Sequence, residues 1–237
     1  MDDDEKRLSI YRAEKALTAE EIGSDAKKRL SLINKEFGDG FEFINKYPKS
    51  VTFFGSSVLP ESNDFYKRAR ALAGKIAKAG YTIVTGGGPG IMEAANRGAF
   101  EVGGQSIGLN IELPREQKPN PYLTEYRQFH YFFSRKVALT FAAEAYLFFP
   151  GGFGTLNELS EILMLIQTKR IKYVPVILVG KTFWNTLDHF IKKEIYEKHG
   201  MVKLQDVSLY AITDDDERIL ETIRMAPVVS NVPFKGK

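Results

Sequence analysis

The 237-residue sequence contains no cysteine. Disulfides, thiolate zinc sites and cysteine nucleophiles are therefore excluded. Histidine is nearly as scarce: His130, His189 and His199 stand far apart and no HExxH element occurs, so the spacing predicts no metal site. No apolar run is long enough to cross a bilayer. The acidic start Met1-Asp2-Asp3-Asp4-Glu5 is followed by no apolar stretch, which predicts no signal peptide and a soluble, cytoplasmic protein without a membrane partner. A dominant charge is missing too, since 33 Lys+Arg against 30 Asp+Glu leave a net +3. Duplex-binding proteins usually carry a stronger basic bias, so nucleic acid is disfavoured as a partner. What is present is 43% hydrophobic, 27% charged and 12% aromatic residues. That mixture can bury a core and rules out disorder, collagen-like repeats or a coiled coil as the main architecture.

Residues 1–47 read as an N-terminal helical arm and residues 48–237 as the main domain. The arm alternates charge (Glu14, Lys15, Glu20, Glu21, Lys27, Lys28, Arg29) with sparse apolar positions (Ile22, Leu30, Ile33, Phe37). Thr18-Ala19-Glu20-Glu21 fits a capping box, so the helix is expected to start near Ala19. From Ser50 the pattern becomes strand, loop, helix, repeated. Strands are expected at 51–54, 81–85, 105–111, 145–149, 174–179 and near 208–212. Helices are expected at 64–79, 91–102, from Arg135, from the 150–154 loop through about Gln167, and at 183–199. Such alternation predicts an α/β fold: a Rossmann-like, doubly wound, mostly parallel sheet with helices on both faces. Ligands of such sheets bind at the carboxyl ends of strands, beside a switch in strand order. The glycine-rich segments after Phe54, Thr85 and Phe149 should thus share one rim.

Several familiar patterns fail on inspection. Gly180-Lys181-Thr182 ends like a phosphate-binding loop, but Pro175 occupies the position of its upstream glycine. Gly86–Gly90 is not spaced as G-x-G-x-x-G. Gly104-Gln105-Ser106-Ile107-Gly108 matches G-x-S-x-G, yet its serine opens a strand where a nucleophile elbow needs a helix to follow. The two glycine loops that open helices are more informative, because helix N-termini present unpaired N–H groups and the positive end of the dipole. Together with Gly55-Ser56-Ser57 they favour a bound phosphate or sugar phosphate. Ser134 reads as an N-cap, which would put Arg135 and Lys136 in a first helical turn, opposing the dipole. Either an anion reaches them from elsewhere, or they extend to solvent or pair with a carboxylate such as Glu116. Glu158 is open as well: Thr155-Leu156-Asn157-Glu158 is itself a capping box, while one turn from a glycine loop a carboxylate can bind sugar hydroxyls or polarise water.

Pro150-Gly151-Gly152-Phe153-Gly154-Thr155-Leu156-Asn157-Glu158 resembles the PGGxGTxxE motif of the LOG ("lonely guy") family, often labelled lysine decarboxylase. Ser134-Arg135-Lys136 resembles its Arg-Lys element, and Thr85–Met92 its first glycine loop; the resemblance runs from about Ser50 to Asp216. It implies a Rossmann-like phosphoribohydrolase that splits the N-glycosidic bond of a nucleoside 5′-monophosphate, of the AMP or cytokinin riboside type, to free base and ribose 5-phosphate. Arg135 and Glu158 would be the catalytic pair. Gly55, Ser56, Gly87, Gly88, Met92, Glu116, Lys136, Gly151, Gly152, Phe153, Gly154 and Thr155 would contact substrate. No metal or cofactor is implied, and no lysine is placed as a pyridoxal phosphate anchor. A homodimer or higher homo-oligomer is implied, for which Phe141–Phe149 and Leu159–Ile166 are candidate contacts unless they are core. Asn157 stands where many members carry an acid, and the arm and TGGGPGIMEAANRGA segment resemble a longer branch. The reading of a different class is a non-catalytic nucleotide- or cofactor-binding carrier on the same fold.

Overall fold

The computed structural model describes residues 19–112 and 118–226. Glu116 therefore lies outside the described residues. The chain divides into two compact units between Lys35 and Glu36. That division falls inside helix α1 (Ala19–Asn45), whose last third belongs to the larger unit.

The larger unit is built on seven strands, all parallel: β1 (Ser50–Phe54), β2 (Thr82–Thr85), β3 (Ser106–Ile111), β4 (Glu125–Phe129), β5 (Ala145–Phe148), β6 (Val176–Leu178) and β7 (Ala211–Ile212). Their order across the sheet is β4-β3-β2-β1-β5-β6-β7. The helices between them are α2 (Asp64–Lys78), α3 (Ile91–Phe100), α4 (Phe132–Phe141), α5 (Phe153–Gln167), α6 (Lys181–Phe190) and α7 (Asp216–Met225). A π-helical stretch, Ile191–Lys198, continues α6.

A parallel sheet covered on both faces must be apolar on both, and side-chain alternation shows how these strands meet that demand. Val51 and Phe53 of β1, Ile83 of β2, and Ala145 and Leu147 of β5 enter a core with Leu72 and Ile76 of α2, Ile91 and Ala94 of α3, and Ile219 and Ile223 of α7. The alternate residues Phe54, Val84, Tyr146 and Phe148 enter a second core with Phe43 of α1, Leu139 of α4, Leu159 and Ile162 of α5, and Trp184 of α6. The sheet is thus doubly wound, as the alternation of elements predicted.

Two elements escape the sequence pattern. Strand β4 reads Glu-Tyr-Arg-Gln-Phe and is half exposed at the sheet edge. Helix α7 is capped by Asp215, whose side chain accepts from the Glu217 and Arg218 amides. Of the candidate oligomer segments, Ala145–Phe149 is core, whereas Phe141 and Met164 are exposed. Among the described residues no helix is long and apolar enough to cross a membrane.

Candidate active site

The chain runs outward from β1 through β2 and β3 to β4, then returns to place β5 on the other side of β1. The switch point lies between β1 and β5, and their carboxyl ends carry Gly55-Ser56 and Pro150-Gly151. These loops are joined: the Ser56 amide donates to the Pro150 carbonyl at 3.0 Å, and the Ser56 carbonyl accepts from the Ile91 amide at 2.9 Å. Three glycine loops therefore meet on one rim, as predicted.

The glycines make this approach possible. A β-carbon at Gly55 would stand 2.7 Å from the Ile91 side chain, and one at Gly151 would stand 2.7 Å from Thr155 Cβ and 3.0 Å from the Ser56 amide. Gly90, at φ +69°, leaves no room beside the Ser56 carbonyl. By contrast, β-carbons at Gly152 and Gly154 would meet nothing within 4 Å. These two glycines bracket Phe153, which is 93% exposed. Gly152 is the N-cap of α5 and no side chain caps that end. The first turn of α5 thus presents backbone donors to open space, the arrangement that binds phosphate.

Behind the rim is a buried polar network that sequence reasoning missed. Asn96, fully buried on α3, accepts from Thr85 Oγ1 at 2.6 Å and from Asn120 Nδ2 at 2.9 Å, and donates to Ser106 Oγ at 2.9 Å. Asn120 also donates its amide to the Gly87 carbonyl and its Nδ2 to the Gly88 carbonyl. The Gly87 amide itself donates to Thr85 Oγ1 at 2.8 Å. Gly87 and Gly88 are held as a rigid turn, with their carbonyls committed. Ser106 sits in β3 and in this network, not at a nucleophile elbow. The only sequence trace of the network is asparagine inside an alanine-rich helix.

Helix α4 begins at Phe132, so Ser134 is its third residue and not the N-cap expected from the sequence. The N-cap, Tyr131, offers no side-chain acceptor. A carboxylate from α1 takes that role: Glu36 accepts from the His130 and Tyr131 amides and from the Ser134 hydroxyl. Thr155 is likewise inside α5, so Thr155 and Glu158 do not form a capping box. Local motifs suggested both caps; a residue almost 100 positions away displaces the first, and the second fails because the helix starts earlier.

Arg135 and Glu158 are brought together. A guanidinium nitrogen of Arg135 stands 3.6 Å from Glu158 Oε1, with both side chains largely buried. Arg135 also lies over the Phe132 ring at 5.4 Å, and a β-carbon on Gly86 would be 3.2 Å from it and 2.8 Å from Met92 Sδ. Its Nε is buried without a partner. Burial pulls the Arg135 pKa below its ordinary value, and Glu158 opposes this. Burial pushes Glu158 from 4.5 up to about 7, with Arg135 and Lys136 holding it down and Glu161 adding to the rise. Lys136, expected among substrate contacts, donates to Glu161 at 2.5 Å and to Asn157 at 3.1 Å. Among the described residues no cluster of His, Asp and Glu fit to hold a metal occurs.

The site thus sets a carboxylate pushed up to about 7 beside a buried guanidinium, near a glycine-rich rim. The chain is 32% identical over 158 residues to a "Probable cytokinin riboside 5′-monophosphate phosphoribohydrolase" of Oryza sativa subsp. japonica, covering 65% of this chain and 63% of that one. It is 26% identical over 182 residues to the "Pyrimidine/purine nucleotide 5′-monophosphate nucleosidase" of Escherichia coli strain K12, covering 70% of this chain but 40% of the relative. The chain thus spans less than two thirds of the length of either. A molybdenum cofactor carrier protein from Chlamydomonas reinhardtii shares the fold, with a TM-score of 0.56 at 20% identity over 75% of this chain and 98% of that one. The family model described as "Possible lysine decarboxylase" matches residues 92–223, more than half of the sequence, and the chain belongs to that family, the LOG family.

Proposed function

We propose that this protein hydrolyses the N-glycosidic bond of nucleoside 5′-monophosphates, releasing the free base and ribose 5-phosphate. The observation that carries the reading is the buried Arg135–Glu158 pair at 3.6 Å beneath the glycine rim. The names of the rice and Escherichia coli relatives point to the same reaction class.

Breaking the bond between C1′ and the base nitrogen builds positive charge on the ribose, through an oxocarbenium-like transition state. The 5′-phosphate seats on the first turn of α5 at Gly152–Thr155, with Gly55, Ser56 and Gly151 closing the cradle. That anchors the sugar and positions C1′ for attack. Ionised Glu158 stabilises the developing ribosyl charge and takes a proton from the attacking water. The hydroxyl adds to C1′ as the C1′–N bond breaks, and the proton taken by Glu158 passes to the departing base, so that one water is consumed and the carboxylate is restored. Arg135 offers its guanidinium N–H groups to an acceptor on the substrate, holding the leaving group or phosphate. The half-exposed Phe132, Phe133 and Phe141 on α4 support a homodimer with this helix near the contact. A cytoplasmic location belongs to the same proposal, since a charged nucleoside monophosphate does not cross a membrane unaided.

A carrier on the same fold would need phosphate donors but no carboxylate tuned to about 7. Incubating the purified protein with AMP and the other nucleoside monophosphates, and separating the products by chromatography, tests the reading. Free base with ribose 5-phosphate is expected. Tight binding of one monophosphate without release would establish the carrier instead.

A further inference from the structure

Helix α4 carries the reactive guanidinium, yet its start is poorly designed by local rules. Its N-cap Tyr131 supplies no side-chain acceptor, its first turn holds no acidic residue, and Arg135 and Lys136 follow close behind. Cations near a helix N-terminus oppose the positive end of the helix dipole. The missing anion comes from Glu36, a residue only 8% exposed. One oxygen accepts from the His130 amide, and the other accepts from the Tyr131 amide at 3.3 Å and from the Ser134 hydroxyl. These donors lie within the five residues before Arg135, whose own amide closes the first helical hydrogen bond, onto Tyr131 at 3.2 Å.

The same stretch of α1 is tied to β4, the strand that feeds α4. Asp39 pairs with Arg127, while Lys46 and Tyr47 hold Glu125 at 2.9 and 2.5 Å. Phe37 packs on Phe133 and Phe41 on Phe141. Residues 36–47 therefore grip both the strand and the helix, and at the start of α4, where Phe37 packs on Phe133, Glu36 supplies the hydrogen bonds.

We propose that Glu36 is a positioning residue: its buried carboxylate fixes the first turn of α4 and thereby holds the Arg135 guanidinium against Glu158 and the glycine rim. The inference rests on the reading of Arg135 as a substrate-contacting group. It gives this segment of the N-terminal helix a part in catalysis, through one carboxylate and three donors. A displacement of about 1 Å at a reacting group can cost roughly 100-fold in rate.

The test compares Glu36→Gln with Lys46→Ala, which loosens the same helix from β4 without touching the start of α4. Two readouts are taken on the full chain: the Arg135 Nε–H signal in a spectrum of arginine-labelled protein, assigned with Arg135→Lys, and kcat and KM for AMP hydrolysis. Glu36→Gln is expected to move or broaden the Arg135 signal and to lower kcat about 10-fold or more, with KM changing less. Lys46→Ala is expected to leave both unchanged. If Glu36→Gln does not fold, Ser134→Ala removes one of the three donors and should shift the same signal. An unmoved Arg135 signal in the folded variant overturns the proposal and leaves Glu36 a simple cap. An equal response to Lys46→Ala overturns it too, since general loosening would then explain the effect. Should the wild type release no base, the proposed reaction fails, but the Arg135 signal still decides this inference.

Discussion

Arg135 and Glu158 face each other across 3.6 Å from the starts of two different helices, α4 and α5, with side-chain exposures of 12% and 16%. At that distance in a partly dry site the attraction is strong, but geometry too long for a good hydrogen bond leaves both groups free to engage a substrate. Arg135→Ala is expected to keep the fold by circular dichroism and to lose roughly 100- to 1000-fold in kcat, as removal of a fixed donor at a charged transition state does. Arg135→Lys should recover little, because a lysine lacks the planar fork that lies over Phe132.

The pH dependence follows from the position of Glu158. Its carboxyl titrates at about 7 in the folded protein against an ordinary 4.5. In the proposed mechanism ionised Glu158 is the working form, so kcat/KM should rise with pH and level off above about 7. Stability moves the opposite way. The folded state holds this proton more tightly than the unfolded chain, so the contribution is fully present below about pH 4.5 and is lost as pH rises through about 7. In Arg135→Ala, the cation that holds the carboxyl down is gone, and the midpoint of the rate profile should move upward. A rate profile flat from pH 5 to 9 would contradict the assignment.

The glycines of the rim separate into two kinds, and substitution should separate them. Gly90→Ala must place a side chain at φ +69° against the Ser56 carbonyl. It should destabilise the protein by at least about 1–2 kcal/mol in urea unfolding. Gly152→Ala and Gly154→Ala meet no neighbour. Both should unfold like the wild type while binding ribose 5-phosphate more weakly in calorimetry, since the added methyl groups narrow the approach to the α5 backbone.

Asn96 holds the first glycine loop through Thr85, Ser106 and Asn120. Asn96→Ala strands those partners in a buried setting, at about 1–3 kcal/mol for each group left unpaired. Loss of at least about 2 kcal/mol in urea unfolding is expected, together with a rise in KM as the Gly86–Gly90 turn loosens.

How far the sequence discloses this arrangement depends on how local each signal is. The strand ends at Phe54, Thr85 and Phe148 and the glycines that follow them are local, so one rim with three loops was legible. The β4 strand was not, because an edge strand with alternating charge lacks the apolar run that marks a buried one. Ser134 illustrates the more instructive failure. It carries the right chemistry for a cap, but Glu36 supplies a stronger acceptor from far along the chain, and the helix starts three residues earlier than expected. Asn96 and Asn120 meet only in three dimensions, and Lys136 is drawn to Glu161 by a pairing across helices that spacing does not encode.

The most direct measurement compares base release from AMP by the wild type and by Glu158→Gln, with folding checked in parallel. The account predicts adenine and ribose 5-phosphate from the wild type, and a loss of at least roughly 100-fold in the variant. A folded Glu158→Gln that releases adenine as fast as the wild type would contradict it.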